Sequence, residues 1–418
     1  MGGTEQIQPP NPPLQGPSSR WVLPMAPPGG SVDGLRTCPY LAPMSVSVRQ
    51  LPLGGNLTEF LDVVGTIYRD DPHFVRPLDF ELKQRLSRKN PFFRHGEGTL
   101  FTAHVGGRCV GRCTAQIDRA WNDRYGERTG FFGFFDTIDD QQVADALLQR
   151  ASEWLRSRGM KKVLGPFSLN SNEEIGCLVE GFDMPPMVMM PHHRPYQGGL
   201  IEGAGFAKAK DLYAWRYVVG PLPPRVQKAV DLISALPEVK TRNVDKKNIE
   251  SEVKLVMDIF NDAWSENWGF VPLTTPELEK LADDFKLILV PELTQIVEVD
   301  GEPAAFAVAI PNLNEFIHDL DGKLLPTGFA KLLWRFKIVG AKSARLALLG
   351  IRKKFRTQKK YAALSAYMYA RLSRAGAGLG IHWGELSWTL EDNHPVNLGI
   401  KMMGGEIYKR YRVYERAL

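Results

Sequence analysis

Two halves of the chain repeat one plan, and this repetition narrows the folds open to it more than any single motif does. FVRPLDFEL at 74–82 corresponds to FVPLTTPEL at 270–278, FSLNSNEE at 167–174 to SWTLEDN at 387–393, and IEGAGF at 201–206 to IKMMGG at 400–405. The outer strings stand 127 positions apart in the first half (201 minus 74) and 130 in the second (400 minus 270). Near-equal spacing of paired strings points to duplication. Each half reads as a strand, two helices, a hairpin, a fourth strand, a helix, a strand, a helix and a last strand. The hairpins are LFTAHVGGRCVGRCTAQI (100–117) and TQIVEVDGEPAAFAVAI (294–310). The strands after them are FFGFFDTID and SARLALLGI, and the helices that follow span 139–159 and 361–376. That order is mixed α/β.

Domains are expected at 44–220 and 221–418, joined near GPLPPRV at 220–226. Residues 1–43 hold ten prolines and few large apolar groups, so they cannot offset the entropy of ordering a core and are expected to be a disordered tail. A chain of 418 residues exceeds one ordinary core. Its net charge of +5 is modest, with the basic residues concentrated between Lys331 and Lys360, and no nucleic-acid-binding fingerprint accompanies them. Cys38, Cys109, Cys113 and Cys177 lack a metal-knuckle spacing, which fits a reducing, cytoplasmic setting. No run of about 18 apolar residues offers a membrane span.

The stretch His382–Tyr414 gathers most of the candidate chemistry. It reads as a short strand from Glu385 to Thr389, an acidic-amide turn (Glu391, Asp392, Asn393), a helix opening at Pro395, a Met-Gly-Gly stop and a tyrosine-rich last strand. This pattern resembles the C-terminal part of GNAT-type acyltransferases, in which a central strand splays from its neighbour and leaves a slot for an acyl-CoA thioester. The resemblance covers roughly residues 45–418 and implies two tandem GNAT-like domains. Each would be a mostly antiparallel, splayed sheet with helices on both faces.

The resemblance also implies roles. Amide formation from a thioester needs a base for the attacking amine, donors for the oxyanion and an acid for the leaving thiolate. Glu391 or Asp392 is the expected base, acting directly or through water; Tyr408 or Tyr411 is the expected acid; Asn393 is expected to bind the acyl or pantetheine portion. The CoA phosphates are expected at the end of the fourth strand of the second half, Leu349, Gly350 and Ile351, and at the turn carrying Arg356, Thr357, Gln358 and Lys359. Lys359 and Tyr361 stand where that family places glycines, so charge from Lys353, Lys354, Arg356, Lys359 and Lys360 would substitute for backbone amides. In the first half the same place carries Asp136, Asp139 and Asp140, which repel phosphate, so that copy is read as degenerate or acceptor-binding. Asn261, Trp264, Asn267 and Trp268 are expected to line the acceptor side with amides and broad apolar faces. His193 is a further substrate-side or base candidate; His192 and His193 as a metal pair lack an indicated third ligand, and no metal is expected.

GPFSLN, NEEIGCLVEGFDMPP, HHRPY, NDAWSENWGFVPLT and SWTLEDN are similar to a bacterial family of this length that contains ceramide synthases. The resemblance implies an acyl-CoA-dependent N-acyltransferase with a lipid amine as acceptor and no permanently bound cofactor. Two alternatives remain open: a soluble amine as acceptor, or a non-catalytic scaffold, which the missing glycines favour. In GFAKLLWRFKIV (328–339) aromatic bulk alternates with Lys331, Arg335 and Lys337. Such a segment can lie in the headgroup region at the inner face of an anionic membrane, and equally can pack as a helix with its lysines in water.

Overall fold

The computed structural model describes residues 45–418, the side chain of Phe285 excepted. The tail expected to be disordered, 1–43, lies outside these residues. In chain order the first half runs β1 (Ser47–Leu51), α1 (Thr58–Ile67), α2 (Asp79–Arg85), β2 (Gly96–Val105), β3 (Arg108–Asp118) and α3 (Arg119–Tyr125). It continues with β4 (Thr129–Thr137), α4 (Gln141–Arg156), β5 (Lys162–Gly165), β6 (Cys177–Glu180), α5 (Gln197–Gly203) and β7 (Ala207–Val218). The second half comprises α6 (Pro224–Ser234), β8 (Val239–Asn243), α7 (Ile249–Trp264), α8 (Thr275–Ile288), β9 (Thr294–Val299) and β10 (Glu302–Pro311). Then come α9 (Asn314–Ile317), α10 (Gly328–Trp334), β11 (Ser343–Ile351), α11 (Lys353–Arg356), α12 (Leu364–Gly378), β12 (Trp383–Leu390), α13 (His394–Met402) and β13 (Glu406–Ala417).

Local chemistry explains the elements. The β2–β3 turn uses Gly106 and Gly107 at φ +56° and +79°, the left-handed pair a two-residue hairpin requires. In α4 the Asp140 side chain accepts from the Gln142 amide at 2.8 Å, capping the helix, and Val143, Leu147, Leu148, Ala151 and Leu155 form one buried stripe. Helix α4 covers one face of the first half with α5, and α1 lies on the other. In the second half α6 and α12 cover one face and α7 and α8 the other. The mixed α/β fold with a splayed, mostly antiparallel sheet and helices on both faces is thus as the sequence led one to expect.

All thirteen strands form one sheet in the order β1-β2-β3-β4-β5-β13-β7-β12-β11-β10-β9-β8, with β6 also on β13. Among the described residues only β4–β5 and β11–β12 pair in parallel. The last strands cross over: β13 runs antiparallel to β5 of the first half, while β7, from the first half, runs antiparallel to β12. β13 and β7 also pair with each other, and Tyr411, Val413 and Tyr414 are fully buried there. Each half therefore completes the sheet of the other, and the described residues lie in one compact unit.

Candidate active site

The parallel strands β11 and β12 are in register from Ser343–Trp383 to Leu346–Leu386 and then separate. A bulge accompanies the separation. On β10, Val308 faces Leu348 while Ala309 faces Leu346, leaving Ala347 as an extra residue in β11. A bulge raises local twist and turns a strand from its neighbour. Beyond Leu346 the β12-facing edge of β11 pairs with no strand among the described residues, so the backbone groups there that Trp264 does not hold can meet an extended ligand.

At the point of separation stands Glu385, with no exposed surface. Its neighbour Leu386 packs under α12 and α13, so strand alternation turns Glu385 to the opposite face. A carboxylate out of contact with water must be paired and hydrogen-bonded. The Tyr408 hydroxyl donates to Glu385 Oε2, the Ser387 hydroxyl donates to Oε1, and Arg345 Nε lies 3.8 Å from Oε1. Arg345 is itself buried and donates to Ser387 Oγ at 2.8 Å and to the carbonyls of Val188 and Met189 at 3.1 Å. Burial lowers the Arg345 pKa, and Glu385 opposes that. Burial raises the Tyr408 pKa, and the Glu385 carboxylate raises it further, so the phenol keeps its proton. Beside it, burial brings Lys409 down to about 8; its Nζ donates to Gly181 O at 2.9 Å and Met184 O at 2.6 Å.

Half-buried aromatic rings surround this group. Trp383 meets Tyr408 edge to face at 6.0 Å, Trp264 meets Trp388 at 6.3 Å, and Trp268 meets Trp121 at 6.1 Å. Trp264 Nε1 donates to Leu349 O at 3.1 Å, bracing the separated end of β11. Of the residues nominated from sequence, Trp264 and Tyr408 thus fall around the opening, whereas Trp268 packs against Trp121 with Lys210 Nζ 5.9 Å from its ring. Asn261 and Asn267 are half-buried at the end of α7 and in the turn after it, and Asn261 Oδ1 is buried without a partner.

Glu391 and Asp392 stand on the β7 side of β12, not in the gap. Glu391 binds Lys208 Nζ at 2.6 Å and the Asp211 amide at 3.0 Å; Asp392 binds Lys210 Nζ at 2.8 Å. Asn393 precedes α13, and its side chain makes no capping bond. Leu349, Gly350 and Ile351 form the open end of β11, and Arg356, Thr357, Gln358 and Lys359 are exposed on the turn above it. Lys353 and Arg356 face Glu266 at 2.8 and 3.6 Å, and Lys354 faces Glu302 at 2.5 Å. Such surface pairs are weak and readily exchanged for a phosphate. The next helix, α12, begins at Ala363 with no side-chain cap, leaving its first amides unclaimed by a side chain. Tyr411 is fully buried in β13.

His193 lies elsewhere, buried in the first half, where its Nδ1 accepts from the Leu178 amide at 3.1 Å and burial lowers its pKa to about 4. Nearby, Asp136 accepts from Arg112 Nε at 2.8 Å and from the Tyr68 hydroxyl at 2.5 Å. The β4–β5 pair also parts, after Phe131–Leu164. There the gap is filled: the Phe167 amide donates to Phe132 O at 2.8 Å, and Gln116 Nε2 donates to Phe167 O at 2.7 Å. A Cβ on Gly133 would lie 1.7 Å from Phe167 O, so the segment after β5 packs directly on β4. Among the described residues no group of three or more His, Cys, Asp or Glu side chains could hold a metal ion, and no helix is long and apolar enough to cross a membrane.

Glu385 escaped the sequence reading because it sits inside the strand pattern WGELSW, with Arg345, its charged neighbour, 40 positions away (385 minus 345). The available signal was a lone carboxylate in a strand bounded by tryptophans.

The fold, with its opened parallel pair, is similar to that of tandem GNAT proteins. The chain aligns over 89% of its length with 98% of a tandem GNAT protein from the clavulanic acid biosynthesis pathway, at a TM-score of 0.53 and 12% identity. It also aligns over 90% of its length with 38% of a fungal multi-domain β-N-acetylglucosaminidase chain carrying a GCN5-related glucosamine N-acetyltransferase region, at a TM-score of 0.53 and 13% identity. No protein-family model matches the chain. Among curated relatives, it is 42% identical over 377 residues to the bacterial ceramide synthase of Caulobacter vibrioides, covering 89% of this chain and 98% of that one. It is 40% identical over 365 residues to protein YghO of Escherichia coli, covering 87% and 93%. The chain belongs to the bacterial ceramide synthase family.

Proposed function

We propose that the chain joins a fatty acyl group, delivered as its CoA thioester, to the amine of a lipid such as a sphingoid base, at the opening between β11 and β12. Family membership makes it an acyl-CoA-dependent N-acyltransferase, and the name of the Caulobacter relative supplies the acceptor class. The observation that carries the site assignment is the buried Glu385–Tyr408 pair where the two strands part. An amine must lose a proton as it attacks the thioester carbon, and Glu385 is the carboxylate in place to take it. The C–N bond forms, the C–S bond breaks, and the thiolate takes the Tyr408 proton, which Glu385 then restores through their shared hydrogen bond. The two groups end as they began, with amide and CoA thiol as products. Arg345 fixes the carboxylate and compensates its charge throughout.

In this reading the base role passes from Glu391 and Asp392, which are held by Lys208 and Lys210, to Glu385. The turn with Arg356 and Lys359 and the open start of α12 would meet the CoA phosphates. Trp264, Trp268 and Trp388 would face the acceptor. The first half, its gap filled by Phe167, would serve as a scaffold. Exposed Phe329, Trp334 and Ile338, with Lys331 and Lys337, support contact with an anionic membrane surface, where a lipid amine resides. Flotation with anionic liposomes should weaken in Trp334→Glu and Lys331→Glu; unchanged flotation excludes this segment. Incubation with acyl-CoA and a long-chain base should yield lipid amide, and Glu385→Gln should abolish it. Amide formation confined to soluble amines would refute the lipid acceptor.

A further inference from the structure

A cavity of about 590 Å³, its mouth included, lies between the sheet and helices α12 and α13. Its walls come from the paired lower parts of β11 and β12, from Tyr217 and Val219, from Leu372 and Gly376 of α12, and from Ile400 and Met403 at the end of α13. It is apolar; the Tyr217 and Ser373 hydroxyls on its wall bond each other at 3.1 Å. Small residues make the space: Ala309, Ala344, Gly376 and Gly384 all line it. Glu385 lines it too, so the cavity reaches the point where the strands part.

Resting on the acyl-transfer reading above, we propose that this cavity holds the hydrocarbon tail of the acyl donor and sets its length. A thioester lying in the opening cannot send its chain further between the strands, because Ser343–Leu346 and Trp383–Leu386 are hydrogen-bonded there. The chain must leave onto one face of the sheet. One face presents Glu385, Arg345 and Tyr408, a charged group that excludes an alkyl chain. The other presents the apolar cavity. The same division brings the acceptor amine to the face that carries the base, so donor tail and acceptor approach from opposite sides.

The test measures kcat/KM for a series of saturated donors from butyryl-CoA to stearoyl-CoA with one long-chain base as acceptor, and for bases of several chain lengths with one donor. Ala309→Phe and Ala344→Leu narrow the cavity and Leu372→Ala widens it, with melting curves confirming folded protein. The expected result is a fall of roughly tenfold or more in the stearoyl-to-butyryl ratio for the narrowing variants, of the size one or two methylenes carry, and a rise for Leu372→Ala. Wild-type protein that makes no amide from any donor sinks the acyl-transfer reading and the cavity assignment with it. Normal wild-type activity with an unchanged donor profile in all three variants overturns the cavity assignment alone. A shift in the preferred length of the base, with the donor profile intact, would assign the cavity to the acceptor and also overturn it.

Discussion

The molecule contains the same opening twice, and only one copy is open. In the first half β4 and β5 part after Phe131 and Leu164, and in the second β11 and β12 part after Leu346 and Leu386. In both, a register shift in the outer ladder marks the place. The first gap is closed by Phe167, whose backbone bonds Phe132 O and whose ring lies 5.0 Å from that of Phe131. Behind it Asp136 is tied to Arg112 and Tyr68 in a fully satisfied, buried set. The second gap keeps an edge that pairs with no strand among the described residues, and its buried carboxylate meets a phenol on the sheet face opposite the apolar cavity. Splaying a parallel pair is therefore a property of the fold; in the proposed reaction, leaving the gap unfilled is what would permit chemistry.

The sharpest way to break this comparison is to neutralise one carboxylate in each half. Glu385→Gln should lower kcat by about 10²–10⁴, the range of a lost general base. Asp136→Asn should leave the rate per folded molecule nearly unchanged while costing about 3–5 kcal/mol of stability, as when one partner of a buried pair is removed. Chemical denaturation and turnover measured on the same samples separate the two effects. If Asp136→Asn were the dead enzyme and Glu385→Gln the active one, the roles of the halves would be exchanged.

A smaller effect is expected at the acid. Tyr408→Phe removes the proton donor to the thiolate but leaves Glu385 paired with Ser387 and Arg345, so kcat should fall by roughly a hundredfold or less. Donors whose thiol is more acidic should recover part of the loss, which a purely structural role would not produce. Smaller again is the turn over β11. Reversing charge at Arg356 and Lys359 should raise the KM for acyl-CoA several-fold and weaken its salt dependence with little change in kcat, since the contacts are exposed and screened. The equivalent change at Asp139 and Asp140 of the first half should leave that KM alone.

The smallest effect concerns the tie between the halves. His95 bridges Asp118, the cap of α3, at 3.4 Å, and Glu277 of α8 at 3.2 Å. The Asp118 and Glu277 carboxylates beside it raise its pKa from 6.5 to about 9. Because the folded value lies above the unfolded one, the stabilisation is complete below about pH 6.5 and is lost as pH rises through about 9. The difference in melting temperature between wild type and His95→Gln should shrink over that window. A difference independent of pH would show that the proton is not what holds the contact.

Much of the fold was readable because hydrophobic period and turn residues are local: Gly106-Gly107, the Asp140 cap and the Pro395 helix start all act within a few positions. The crossing of β7 and β13 was not, since nothing within either strand records which remote edge it will meet. The site divided along the same line. Trp264, Trp268 and Tyr408 drew attention as aromatic or phenolic groups near recognisable turns, and Trp264 and Tyr408 lie beside the parted strands. Glu391 and Asp392 drew attention as an acidic turn, yet Lys208 and Lys210, about 180 positions earlier, neutralise them across the β7–β12 seam. Glu385 was hidden by the converse effect: its partners Arg345 and Tyr408 converge on it only in three dimensions.

A structure determined with a non-hydrolysable thioether analogue of a long-chain acyl-CoA tests the central claim most directly. The account predicts the sulfur between β11 and β12 close to Tyr408, the phosphates at the turn above Ile351, and the β4–β5 gap still closed by Phe167. An analogue seated between β4 and β5, or β11 and β12 drawn together with the ligand bound elsewhere, would contradict it.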